Sequence, residues 1–86
     1  MPKKSKKSSA AQIHERRNGR DFLFNGDPKT ALGFTASKEG GQVRVTNHGE
    51  EPIAVAKSRR TISPGSNALV SRDIVLTTGV RKFVCR

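Results

Sequence analysis

The chain has 86 residues, of which 17 are Lys or Arg and 7 are Asp or Glu, giving a formal net charge of +10 with only 33% hydrophobic residues. This length predicts one domain. The single cysteine, Cys85, excludes an internal disulfide and alone builds no zinc centre. No run approaches the roughly eighteen apolar residues of a membrane span.

Charge is concentrated at the start. Lys3, Lys4, Lys6, Lys7, Arg16, Arg17 and Arg20 face only Glu15, so the first twenty residues carry +6 of the +10. Residues 1–20 are therefore expected to form a basic, largely extended arm that docks on an anionic partner, nucleic acid above all. Residues 1–7 have no apolar content beyond Met1 and Pro2 and lack the apolar core of a secretion signal, so a reduced intracellular setting is the expectation. Ser9 with Gln12 offers a capping box and Asn18-Gly19 a stop, which would allow a short helix over residues 10–17 to form on binding. Alone in water so short a helix is marginal.

Phe22-Leu23-Phe24 is the first dense apolar cluster, closed by the turn signal Asn25-Gly26-Asp27-Pro28. Phe22 and Phe24 are expected to anchor the arm to the core of the body; the alternative is a plug inserted into a neighbouring subunit. From Gln42 the pattern has period two. Val43 and Val45 share one face, Asn47-His48-Gly49 breaks the run, and Ile53 and Val55 resume it, which predicts a hairpin joined by a four- to six-residue loop. Pro64-Gly65 fits the centre of a type II turn. Residues 68–70, 74–76 and 80–85 are further strand candidates. Residues 21–86 thus read as a small all-β domain, an antiparallel sandwich or barrel. A body this small is expected to draw stability from neighbours in an assembly.

Catalysis is not expected. His14 lies among arginines, His48 beside Gly49 and two glutamates, and Glu39, Glu50, Glu51 and Asp73 fall on predicted turns. Neither a base held by an orienting group nor a phosphate-cradling glycine loop is apparent. No cofactor or small-molecule substrate is implied, and no membrane contact. Cys85 is expected to be buried, with a thiolate favoured by Arg81, Lys82 and Arg86 as the alternative. Lys57, Arg59 and Arg60 form a second basic cluster, either a phosphate contact or a charged rim guarding a strand edge. With no Trp or Tyr to stack bases, nucleic-acid contact should be directed at the backbone. Seven arm cations would give a log K against log salt slope of at most about −6 on duplex DNA.

The run from Val43 to Val55, followed by Thr61-Ile62-Ser63-Pro64-Gly65 and Ala68-Leu69-Val70, resembles small phage structural proteins, the capsid decoration and head-associated β domains. That resemblance implies a non-enzymatic virion protein, assembled in the host cytoplasm, that bridges capsid subunits with its arm along or beneath the shell. Arg17-Asn18-Gly19-Arg20-Asp21, Leu32-Gly33, Gly40-Gly41-Gln42-Val43, Pro64-Gly65-Ser66-Asn67 and Arg72-Asp73 follow the order of a bacterial large-ribosomal-subunit protein whose basic arm approaches the peptidyl-transferase centre. It is similar enough to imply the alternative, a protein of the cytoplasmic ribosome that binds ribosomal RNA through its arm.

Overall fold

Alternating side chains and tight turns organise residues 9–86, the part that the computed structural model describes, into two antiparallel sheets. In chain order the strands are β1 (Ser9–Ala10), β2 (Ile13–Arg17), β3 (Arg20–Leu23), β4 (Phe34–Glu39), β5 (Gln42–Asn47), β6 (Ile53–Val55), β7 (Arg60–Ile62), β8 (Asn67–Ser71), β9 (Val75–Thr78) and β10 (Arg81–Cys85). One helical turn, α1 (Pro28–Ala31), follows β3; Pro28 opens it and the Asp27 carboxylate accepts from Lys29 N at 3.1 Å. The four-stranded sheet runs β1-β4-β5-β8 and the six-stranded sheet β3-β2-β10-β9-β6-β7. The all-β expectation holds.

Between the sheets lies a core built from the alternate residues of both. Phe34, Val43, Val45 and Val70 come from the four-stranded sheet; Ile13, Ile53, Val55, Ile62, Leu76, Phe83 and Cys85 come from the other. Phe34 and Phe83 meet edge to face, ring centroids 5.3 Å apart, and lock the two layers together. Val84 is buried but stands outside this cluster, as period two requires of a residue between Phe83 and Cys85.

Three expectations are corrected. Residues 13–17 form a strand rather than a helix or free arm, because β10 offers them a complete ladder (Arg16 opposite Lys82, Ile13 opposite Cys85) and Ile13 enters the core. The basic arm therefore does not extend to residue 20 as a separate element. Asn18-Gly19 is not a helix stop. Both residues have positive φ (53° and 75°) and Arg17 pairs with Arg20, which makes a two-residue hairpin turn of the type Asn-Gly favours. Finally, Val43–Val45 and Ile53–Val55 do not pair as a hairpin. β5 pairs with β4 and β8, whereas β6 pairs with β7 and β9, so the chain crosses from one sheet to the other between them.

Asn47 pins that crossing. Its side chain is buried, donating to Glu51 O at 2.7 Å and Ile62 O at 2.9 Å and accepting from Gly49 N at 2.9 Å. The corner backbone would otherwise carry unpaired groups into the interior. The type II turn at Pro64-Gly65 forms as its residues predict, with Gly65 at φ 80° and Ser66 N donating to Ser63 O at 2.9 Å.

Candidate nucleic-acid interface

Register fixes which side chains leave the six-stranded sheet on its outer face. Cross-strand partners share a face, so Arg16, Lys82, Thr77 and Ala54 form one outward row beside His14, Val84 and Val75. Among the described residues, the four-residue turn from Ala56 to Arg59 and the loop from Arg72 to Ile74 rise at the same end of this sheet, where Ala56 N bonds Val75 O at 2.9 Å and Asp73 N bonds Cys85 O at 3.0 Å. Between them runs a groove of about 490 Å³ whose charged lining is Arg16, Lys57, Arg72 and Asp73. Arg60 lines the adjoining cleft, which shares Ser71 and Ile74 with the groove.

The carboxylates nearby are already engaged. Asp21 accepts from Arg16 at 2.8 and 3.2 Å and from Arg86 at 2.9 Å, and Arg86 also donates to Asp73 at 2.6 Å. Hydrogen bonding from Arg16 and then Arg86 holds the Asp21 carboxyl down to about 2. Glu15 is likewise lowered, chiefly by the Arg81 guanidinium that grips it through two 3.0 Å bonds. Arg44 binds Glu39 at 2.7 Å on the other sheet. Of the thirteen Lys and Arg among the described residues, these pairs hold four (Arg16, Arg44, Arg81 and Arg86), which leaves nine without a carboxylate partner.

The candidate residues separate into groups. Lys3, Lys4, Lys6 and Lys7 lie outside the described residues. Arg16 and Lys57 meet in the groove, although some forty residues apart in sequence. Arg59 is exposed in the turn beside them and Arg60 begins β7. Arg17 and Arg20 sit directly opposite each other at the β2–β3 turn, at the other end of the sheet from Lys57. That like-charge pair is unfavourable, and Arg17 offsets it by stacking its guanidinium 4.6 Å from the Phe22 ring centroid.

Of the two anchors, Phe24 packs against the core, with its N bonded to Ile13 O at 2.8 Å. Phe22 is corrected: register puts it opposite Glu15 on the face that carries Phe83, but β3 is the edge strand and Phe22 stays 43% exposed with Arg17 stacked on its ring. Leu23 beside it is 48% exposed and Val80, in the neighbouring β9–β10 turn, 96% exposed. Cys85 is buried, which pushes its thiol up to about 12 and leaves the reactive-thiolate alternative without support. His48 is exposed and bonds Thr35 Oγ1 through Nε2 at 3.0 Å.

Arg72 and Lys82 complete the basic surface and were not among the expected contacts. Arg72 stands alone in sequence beside Asp73, so no charge run marks it; Lys82 joins Arg16 only through the β2–β10 register. No protein-family model, curated protein or solved structure matches this chain.

Proposed function

We propose that this chain is a non-catalytic structural protein of a large nucleoprotein particle, a virion head component that bridges capsid subunits and turns its basic surface toward nucleic acid. The observation that carries this reading is the excess of uncompensated cations on the folded body: nine Lys and Arg without a carboxylate, six of them (Arg17, Arg20, Lys57, Arg59, Arg60 and Lys82) on the six-stranded sheet and its turns. Solubility alone requires less charge than this on 9.4 kDa. The protein-facing half of the reading is supported by edge strand β3, on which Phe22 and Leu23 are exposed. An open strand edge with apolar side chains is suited to receiving a partner. Five of the seven carboxylates are occupied structurally, four by arginines and Asp27 by the α1 cap, which fits a scaffold better than an acid–base centre.

A second reading, a ribosomal large-subunit protein on RNA, is favoured by one observation. The Arg17-Asn18-Gly19-Arg20-Asp21 run that carries that resemblance folds into a tight hairpin tip with two exposed arginines. Sedimentation of native source material separates the two. A head protein stays with shells emptied of nucleic acid, because its main contact is protein. A ribosomal protein follows the large subunit and is released by RNase. Sedimentation as a free small protein under low salt overturns both.

A further inference from the structure

We infer that the groove between the Ala56–Arg59 turn and the Arg72–Ile74 loop is a phosphodiester-binding site, which takes the backbone of a nucleic-acid strand without reading its sequence. This rests on the nucleoprotein reading above and names the surface that makes the contact. The charge is right for it: Lys57 and Arg72 bring two uncompensated cations to the groove, and Arg16 shares its carboxylate with Arg86. Counting Arg16, Arg86, Lys57 and Arg72 against Asp21 and Asp73, the cluster keeps a net +2. The remaining lining includes Ala56, Ile74 and Val75, an apolar floor against which a sugar can rest while its phosphates meet the cations. Its volume, about 490 Å³, is that of an ordinary small-ligand site.

The backbone points the same way. Among the described residues, and apart from Asn18 in its Asn-Gly turn, the non-glycine residues with positive φ are Lys57 (69°), Arg59 (55°) and Asp73 (66°), and all three stand in the two segments that wall the groove. Left-handed backbone is unfavourable for lysine and arginine, and glycine would serve a turn better. Strain of this kind gathers at ligand clamps, where side-chain chemistry outweighs the conformational cost. Of the three, Lys57 and Asp73 line the groove itself.

The test uses the full chain and measures binding to short duplex DNA and to duplex RNA of equal length across a salt series. The Lys57→Gly/Arg72→Ala variant is compared with Lys29→Ala/Lys38→Ala, which removes the same charge outside the groove. We expect the groove variant to flatten the log K against log salt slope by about 2 on duplex DNA, the control to change it by less than half as much, and Lys57→Gly alone to raise the melting midpoint while weakening binding. The duplex that shows the larger slope change identifies the source of the phosphodiester. Equal slope changes in the two double variants overturn the groove and leave the docking reading standing. Absence of salt-dependent binding by the unaltered chain overturns both.

Discussion

The four-stranded and six-stranded sheets share one core, yet their outer faces differ. On the four-stranded sheet the outward row is Thr35, Ser37, Thr46 and Asn67, with Arg44 neutralised by Glu39 and bonded to Asn67 Oδ1 at 2.6 Å. The outer face of the six-stranded sheet bears Arg16 and Lys82, the turn between β6 and β7 adds Lys57 and Arg59, and the acids of β2 and β3 are spent on internal ion pairs. Uniform charge would keep a small protein soluble; segregation by layer gives it a side. The surface chemistry of this fold is set strand by strand through register, because a one-residue slip of β2 would carry Arg16 inward and Ile13 outward.

Removing the common core should abolish both faces at once. Phe83→Ala deletes the ring that Phe34 abuts at 5.3 Å, and we expect a loss of about 3–5 kcal/mol in chemical denaturation, enough to unfold both layers together in a domain this small. Asn47→Ala attacks the link between the layers and leaves the backbone partners at Glu51, Ile62 and Gly49 unpaired. The expected cost is about 2–3 kcal/mol, whereas Thr35→Ala on the polar face should stay within about 0.5 kcal/mol.

Smaller effects with opposite signs distinguish the turns. Gly65, at φ 80° in the Pro64-Gly65 turn, should lose about 1 kcal/mol on replacement by alanine, and Lys57→Gly should gain up to about 1 kcal/mol. Thermal melts of the two variants check the pair; equal signs would remove strain as a property of the basic turn.

The smallest effect is in acid and belongs to the charged layer alone. A carboxylate with a lower pKa in the fold than in the open chain contributes stability that is complete above its ordinary 3.8 and disappears as pH falls toward about 2, which is the case for Asp21. Stability measured by urea titration should therefore decline across that window, and Asp21→Asn should flatten the decline. An unchanged profile in the variant would mean that the Arg16–Asp21–Arg86–Asp73 network contributes nothing to folding.

Much of the body was legible before the structure. The alternation at Val43–Val45, Ile53–Val55, residues 68–70 and residues 80–85 gives strands, and Pro64-Gly65 gives its turn, because these are local signals that tertiary contacts reinforce. The β2–β3 hairpin was illegible for a physical reason. Its flanks, His14-Glu15-Arg16-Arg17 and Arg20-Asp21-Phe22, lack hydrophobic alternation, and the pairing that fixes them comes from β10, more than sixty residues away. β4 was equally quiet, since Phe34 and Ala36 are its only buried residues. At the candidate interface, the cluster at residues 57–60 was visible as a charge run. Its meeting with Arg16 and Arg72 depends on strand order, which no local pattern encodes.

That order has a kinetic consequence. β10 lies between β2 and β9, so the six-stranded layer cannot close until the final residues of the described segment have left the ribosome. Until then the β2–β3 hairpin has no ladder to join, and Ile13 has no interior to enter. Long-range pairing of this kind slows folding and lengthens exposure of unpaired edges. During that interval the cost of desolvating them keeps the early arginines in water, away from the chain's own apolar segments, and a polyanion encountered then would meet them before the fold does.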